Sequence, residues 1–128
     1  MSKLTLKVIE TMLSIHRFSA DSKIPDQIHE SIFYSITKTD DEISVVCSSS
    51  IQLQCETTST GWLGYKVIGP LDFSLTGILA DLSTVLAQAK ISIFAISTYD
   101  TDYILVKADK LKLASKVLQS AGHTILQA

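Results

Sequence analysis

The sequence has a single arginine, two cysteines and two prolines, and its formal net charge is only −2. It lacks the basic stripe of a nucleic-acid-binding protein and the polybasic segment that binds a membrane surface. No apolar run approaches the ~18 residues that cross a bilayer, and the N-terminus lacks the long apolar core of a secretory signal. We therefore expect a cytoplasmic protein that binds neither nucleic acid nor membrane.

Patterns of catalytic residues are also missing. Cys47 and Cys55 have no zinc-binding spacing, and in a reducing compartment we expect them as free thiols that behave as small hydrophobes. His16, His29 and His123 are scattered, and their spacing indicates no Ser/His/Asp or Cys/His arrangement. There is no P-loop and no glycine-rich dinucleotide motif. The sequence predicts a protein that is not an enzyme and that uses no metal and no cofactor.

Apolar residues, by contrast, are plentiful: they make up 46% of the 128 residues, against 19% charged. This is ample for one compact domain or for two very small lobes that share a core. Periodicity predicts six elements in the C-terminal half: strand 62–69, helix 74–89, strand 91–97, strand 102–106, helix 109–121 and strand 123–126. The order βαββαβ is typical of a ferredoxin-like α+β fold.

The first of these helices has the clearest pattern. Its apolar residues fall on one stripe, formed by Ile78, Leu79, Leu82, Val85, Leu86 and Ala89. Ser74 is predicted as the N-cap, and Gly77 lies in the first turn, where a missing side chain allows a close approach to the backbone. Asp109 is predicted to cap the second helix, and Gly122 to end it.

The N-terminal half repeats part of this pattern. Residues 34–47 align without a gap on residues 94–107 at an offset of 60, which pairs Asp40 with Asp100. Residues 6–10 also resemble residues 65–69 at an offset of 59. An internal repeat of about 60 residues is the simplest explanation. The alternative is that two hairpins look alike by chance.

The two halves are unequal. Residues 20–31 contain Pro25 and few apolar side chains, so they allow at most one or two helical turns, and the segment after Cys47 is polar and short. We predict two ferredoxin-like lobes in tandem: a degenerate lobe over residues 1–60 and a complete lobe over residues 61–128. An uncovered sheet face is costly, so we expect one cooperative unit.

Longer motifs connect the chain to a family. The run LTGILADLSTVLAQAKISIFAIST (75–98) resembles the ACT domain signature, with its glycine at the first helical turn and its I-x-I strand. GPLDFSLTGILA (69–80) and STYDTDYILV (97–106) are similar to the ACT subgroup of small bacterial two-lobed proteins and of the CASTOR arginine sensors of animals. FYSITKTDDEISVVC (33–47) extends the resemblance into the first lobe. The resemblance implies a tandem ACT fold that binds amino acids, often at an interface between lobes or subunits.

A bound amino acid needs donors for its carboxylate. The start of the first helix offers backbone N–H groups and a favourable dipole, so Ser74, Thr76, Gly77 and Ile78 are candidates, with the two hydroxyls as further donors. A purely structural alternative stays open, in which Ser74 only caps the helix and Gly77 only permits packing against a strand.

The ammonium group needs acceptors. Asp72, Asp100 and Asp102 are candidates, and Thr98 in the same turn completes the set. In the sensors that the sequence resembles, this hairpin contributes to ligand contact. The alternatives are an ordinary turn residue at Asp100 and a strand residue facing water at Asp102. The pair Asp100 and Asp102 has no further clustered ligands and predicts no metal site.

The sequence thus favours a non-catalytic regulatory or sensory module whose ligand is a small molecule, an amino acid. With no catalytic domain in the sequence, the output would pass through a protein partner or through oligomerisation. Because ACT sheets often pair side by side, a homodimer fits the resemblance. The alternative function is a protein interaction or assembly module that binds no ligand.

Overall fold

The computed structural model describes residues 3–68 and 77–127. Among them are seven strands and two α-helices: β1 (Thr5–Ser19), β2 (Ser35–Lys38), β3 (Glu42–Ser48), β4 (Thr57–Val67), α1 (Ile78–Gln88), β5 (Ile93–Ser97), β6 (Asp102–Lys107), α2 (Leu111–Ser120) and β7 (Thr124–Leu126). Short 3-10 helices cover Asp26–Glu30 and Ala108–Lys110. The predicted order βαββαβ is confirmed by the run from β4 to β7.

The chain forms two compact units, one made of Met1–Glu10 with Leu63–Ala128 and the other of Thr11–Trp62. The long strands β1 and β4 contribute residues to both units. They pair antiparallel: the N–H of Ile68 donates to the Thr5 carbonyl in the first unit, and the N–H of Glu56 donates to the Arg17 carbonyl in the second.

The first unit has the strand order β5-β6-β4-β1-β7. A ferredoxin-like βαββαβ unit would place β4 beside β7, but here the start of β1 lies between them and pairs parallel with β7, with Thr5 opposite Thr124. Leu6 and Val8 of β1 are buried in the core of this unit, which gives the inserted strand an apolar anchor. The members of that core are Leu6, Val8, Tyr65, Val67, Leu82, Leu86, Ile91, Ile104, Val106, Ala114 and Leu118.

The second unit has the strand order β2-β3-β1-β4 and little helical cover. Its core consists of Phe18, Ile28, Ile43, Val45 and Cys47. Ile28 comes from the short 3-10 helix. After β3, where the first unit has α2, an irregular segment packs Ile51, Leu53 and Cys55 against the core at alternate positions. The prediction of reduced helices in this half is confirmed.

Two predicted helix starts are wrong. Gly77 adopts φ 81 and ψ −1, a left-handed conformation, so α1 begins after it and Gly77 is the N-cap instead of a residue in the first turn. Asp109 belongs to a 3-10 turn, and α2 begins at Leu111 with Lys110 at its N-cap. Ser74, the predicted N-cap of α1, lies outside the described residues.

The two hairpins close with the same hydrogen bonds. Thr39 donates its N–H to the Glu42 carbonyl at 2.9 Å, and Thr98 donates its N–H to the Thr101 carbonyl at 2.8 Å. In both turns the threonine Oγ1 accepts the N–H of the residue three positions on, at 3.2 Å. The turns therefore match at an offset of 59, so the predicted pairing of Asp40 with Asp100 is wrong by one position.

Candidate functional site

The start of α1 is shaped by Gly77. Its carbonyl accepts the first helical hydrogen bond, from the N–H of Asp81 at 2.8 Å. A Cβ added to Gly77 would meet no atom within 4 Å among the described residues. The left-handed backbone is the feature that favours glycine at this position. Ile78, another predicted site residue, is the first residue of the helix.

Thr98, Asp100 and Asp102 lie together on the β5–β6 turn. Thr98 organises this turn: its Oγ1 donates to the Thr101 carbonyl at 3.0 Å and accepts the Thr101 N–H. Asp100 is exposed, and Asp102 is half-buried. Asp102 Oδ1 accepts a hydrogen bond of 2.6 Å from Ser97 Oγ, which fixes its carboxylate at the start of β6.

Thr101, which the sequence did not single out, anchors the turn. Its side chain is buried, and its Oγ1 donates to the Val67 carbonyl at 2.6 Å. Val67 ends β4, the strand from which the chain continues through residues 69–76 to Gly77. Asp72, Ser74 and Thr76 fall in that segment, outside the described residues. The hydrogen bond of Thr101 therefore links the turn that carries Thr98, Asp100 and Asp102 to the end of β4.

The sequence also did not predict the polar contact made by His123, a buried histidine of the same unit. His123 precedes β7, and its Nδ1 accepts the N–H of Leu4 at 3.1 Å. Its Nε2 is buried and has no hydrogen-bond partner among residues 3–68 and 77–127. Burial lowers the pKa of His123, Asp81 in the first turn of α1 opposes that shift, and Lys3 adds to it. The ring is therefore neutral at pH 7.

Two hollows lie on other surfaces. In the first unit, a groove of about 850 Å³ runs beside α2 and is lined by Leu111, Lys112, Leu113 and Lys116, among others. In the second unit, a smaller hollow of about 260 Å³ is rich in hydroxyls, which come from Thr11, Ser31, Ser48 and Ser50.

Across residues 3–68 and 77–127, no three His, Cys, Asp or Glu side chains are grouped so that they could hold a metal ion. No helix in this part of the chain is long and apolar enough to cross a membrane.

Two protein-family models match parts of the chain. The ACT domain family model matches residues 57–120, and a second model, for the N-terminal domain of another family, matches residues 12–51. The chain belongs to the ACT family. No curated protein matches it in sequence.

Solved structures extend the likeness to nearly the whole chain. A protein from Agobacterium tumefaciens is 35% identical over 100% of this chain and 96% of its own, with a TM-score of 0.93. A Vibrio cholerae protein of unknown function, described as a possible transport protein, is 18% identical over 88% of this chain and 85% of its own (TM-score 0.71). The regulatory subunit of aspartate kinase from Thermus thermophilus is 10% identical over 94% of this chain and 99% of its own (TM-score 0.64). The last two share the fold.

Proposed function

We propose that the chain is a non-catalytic regulatory module that binds a small molecule, an amino acid, beside the start of α1 and the β5–β6 turn. The observation that carries the proposal is the hydrogen bond from Thr101 Oγ1 to the Val67 carbonyl. It joins the aspartate-bearing turn to the strand that leads into the glycine-capped helix. Membership of the ACT family and the shared fold with an aspartate kinase regulatory subunit support a regulatory role.

The chemistry of the proposed site suits a zwitterion. The ammonium group would be met by Asp102, whose carboxylate is oriented by Ser97, and by Asp100, with Asp72 as a further acceptor. The carboxylate would be met by backbone N–H groups at the start of α1, helped by the Ser74 and Thr76 hydroxyls.

We further propose that the chain is a tandem ACT protein of the small bacterial type related to the CASTOR sensors, with residues 1–60 and 61–128 as the two copies. The matching turns at Thr39 and Thr98 support a duplication, because they reproduce both backbone and side-chain hydrogen bonds. The signal would reach a protein partner, or a second copy of the chain, through ligand-dependent packing.

A thermal-shift screen of the common amino acids tests the binding proposal. A ligand at 100 times its Kd should stabilise the folded chain by roughly 2.7 kcal/mol. A stabilising amino acid would support the proposal. No shift with any of them would contradict it and favour the alternative, an assembly module that binds no ligand.

Matched variants locate the site. Asp102→Asn keeps an acceptor for Ser97 but removes the charge, so it should abolish the shift given by the stabilising amino acid. Asp41→Asn is the control, because it removes the same charge from an exposed position in the other hairpin. If Asp102→Asn, still folded, kept the full shift, the site assignment would be wrong even though binding itself was established.

A further inference from the structure

The two cysteines occupy opposite environments within the second unit. Cys47 lies in β3 and is fully buried, and burial raises the pKa of its thiol. Cys55 precedes β4 and is half-exposed, at the edge of the same apolar cluster. The chain therefore contains an accessible thiol together with an inaccessible one that serves as an internal reference.

The accessible thiol contacts two polar side chains. Cys55 Sγ lies 3.0 Å from Thr58 Oγ1 and 3.7 Å from His16 Nδ1. His16 Nδ1 in turn lies 2.9 Å from Thr58 Oγ1, so the three groups contact one another. The Cys55 sulfur also lies 3.4 Å from the Thr57 carbonyl. A nucleophile, a hydroxyl and an imidazole thus lie within hydrogen-bond distance of one another.

His16 is an unexpected residue for its position on the sheet. It is 4% exposed and lies opposite Val45, on the same face as Phe18 in the apolar core. Its Nε2 is buried, and no hydrogen-bond partner lies near it in the described part of the chain. Leaving such a group unsatisfied costs about 1–3 kcal/mol, and an aliphatic side chain would avoid that cost. Apolar packing alone therefore does not explain the imidazole, whereas its contacts with the Thr58 hydroxyl and the Cys55 thiol do.

The protonation state of His16 suits a base. Burial lowers the pKa of its ring, which is therefore neutral at pH 7 and has one ring nitrogen free to accept a proton. The thiolate, not the thiol, is the nucleophilic form of cysteine. Once the proton has left the sulfur, the Thr58 hydroxyl can turn to donate to it.

We propose that Cys55 is a site of covalent modification at sulfur, with His16 Nδ1 as the acceptor of the thiol proton and Thr58 as the hydroxyl that orients both groups. With a peroxide as oxidant, the sulfur attacks one peroxide oxygen, so that the S–O bond forms while the O–O bond breaks. The leaving alkoxide or hydroxide takes the proton from His16. Cys55 is oxidised to the sulfenic acid, and the peroxide is reduced to an alcohol or water.

Modification would alter the packing of this unit. Cys55 lies against the apolar cluster together with Ile51 and Leu53, in the segment that covers the sheet in place of a helix. Adding an oxygen to its sulfur puts a polar group at the edge of that cluster, which disfavours the covering segment.

Iodoacetamide labelling followed by peptide mass spectrometry tests reactivity without an oxidant. In the native protein at pH 7, Cys55 should be alkylated several-fold faster than in the chain unfolded in urea. Cys47 should show the opposite order, because burial alone protects it. A Cys55 rate in the native protein at or below the unfolded rate would mean that the thiol is merely exposed and would overturn the proposal.

Variants distinguish activation of Cys55 by the His16 imidazole from simple accessibility of the thiol. His16→Phe and Thr58→Val should each slow labelling of Cys55 by roughly tenfold, while Thr58→Ser retains the native rate. His29→Phe is the matched control, since His29 is exposed and contacts Tyr34 instead. If His16→Phe does not fold, Thr58→Val decides the result. An unchanged rate in the folded variants rules out the proposed roles.

Hydrogen peroxide followed by dimedone should then trap sulfenic acid at Cys55 and not at Cys47.

Discussion

The N–H of Leu4 donates a hydrogen bond of 3.1 Å to Nδ1 of His123, a residue 119 positions further along the chain. Because Nδ1 accepts this bond, it carries no proton, and the ring is neutral. Protonation at Nδ1 would break the bond and leave a charge in a site that is only 4% exposed. The contact between the start of β1 and the start of β7 is therefore sensitive to pH.

Stability should fall as the solution becomes acidic. Burial lowers the pKa of both His16 and His123 from the ordinary 6.5, so below that pH the unfolded chain binds more protons than the folded one. The free energy of unfolding then rises with pH, is fully developed above 6.5 and is lost as the pH falls toward the folded-state pKa values.

Urea denaturation from about pH 8 to pH 5 measures this dependence. His123→Gln should reduce the slope of this dependence without abolishing it, because His16 still contributes. An equally steep loss in His123→Gln and the wild type would exclude His123 as a source.

The surroundings of Gly64 leave no room for a side chain. A Cβ there would lie 2.5 Å from Leu105 Cδ2 and 3.1 Å from the Ile104 carbonyl oxygen. Gly64→Ala should therefore lower the free energy of unfolding by about 1–3 kcal/mol, measured in urea. Gly61→Ala should also destabilise, but for another reason: the φ of Gly61 is +78, while an added Cβ would meet no described atom within 4 Å. Adding Leu105→Val should recover part of the loss in Gly64→Ala and none in Gly61→Ala. Absence of that rescue would disprove the steric account.

The Tyr65 hydroxyl holds α2 against the sheet. The side chain is fully buried, and its oxygen lies 3.1 Å from the Leu111 carbonyl and 2.6 Å from Ser115 Oγ. Tyr65→Phe should cost about 1 kcal/mol, because it removes the hydroxyl that pairs with two half-buried polar groups of α2. Ser115→Ala should cost less in the Tyr65→Phe background than alone. Strict additivity in this double-mutant cycle would show that the two side chains do not interact energetically.

Local pattern predicted much of the fold. The apolar stripe from Ile78 to Ala89 and the hairpin around Thr98 both show a local pattern of apolar residues that can be read from a single sequence. The structure confirms both elements. The start of α1 was missed because a left-handed φ at Gly77 has no signature beyond the glycine itself. The alignment of the two hairpins was wrong by one residue. Side-chain similarity favoured an offset of 60 residues, whereas the hydrogen bonds of Thr39 and Thr98 show an offset of 59.

Long-range pairing could not be predicted. Nothing in residues 5–7 indicates that they pair with residues 124–126, because parallel partners carry no shared local motif. For the site, Thr98, Asp100 and Asp102 were predicted together and do share one turn. The anchor Thr101 and the contact of His16 with Cys55 depend on strand placement, which spacing along the chain does not reveal.

The insertion of β1 between β4 and β7 also sets an order of events on the ribosome. All of Thr11–Trp62 is synthesised long before Thr124–Leu126, and until those last residues are made the opening residues of β1 have one edge unpaired. That edge closes only when the final strand emerges. A nascent chain arrested shortly before residue 124 would therefore expose the strand edge of residues 5–7, a surface that invites pairing with other polypeptides.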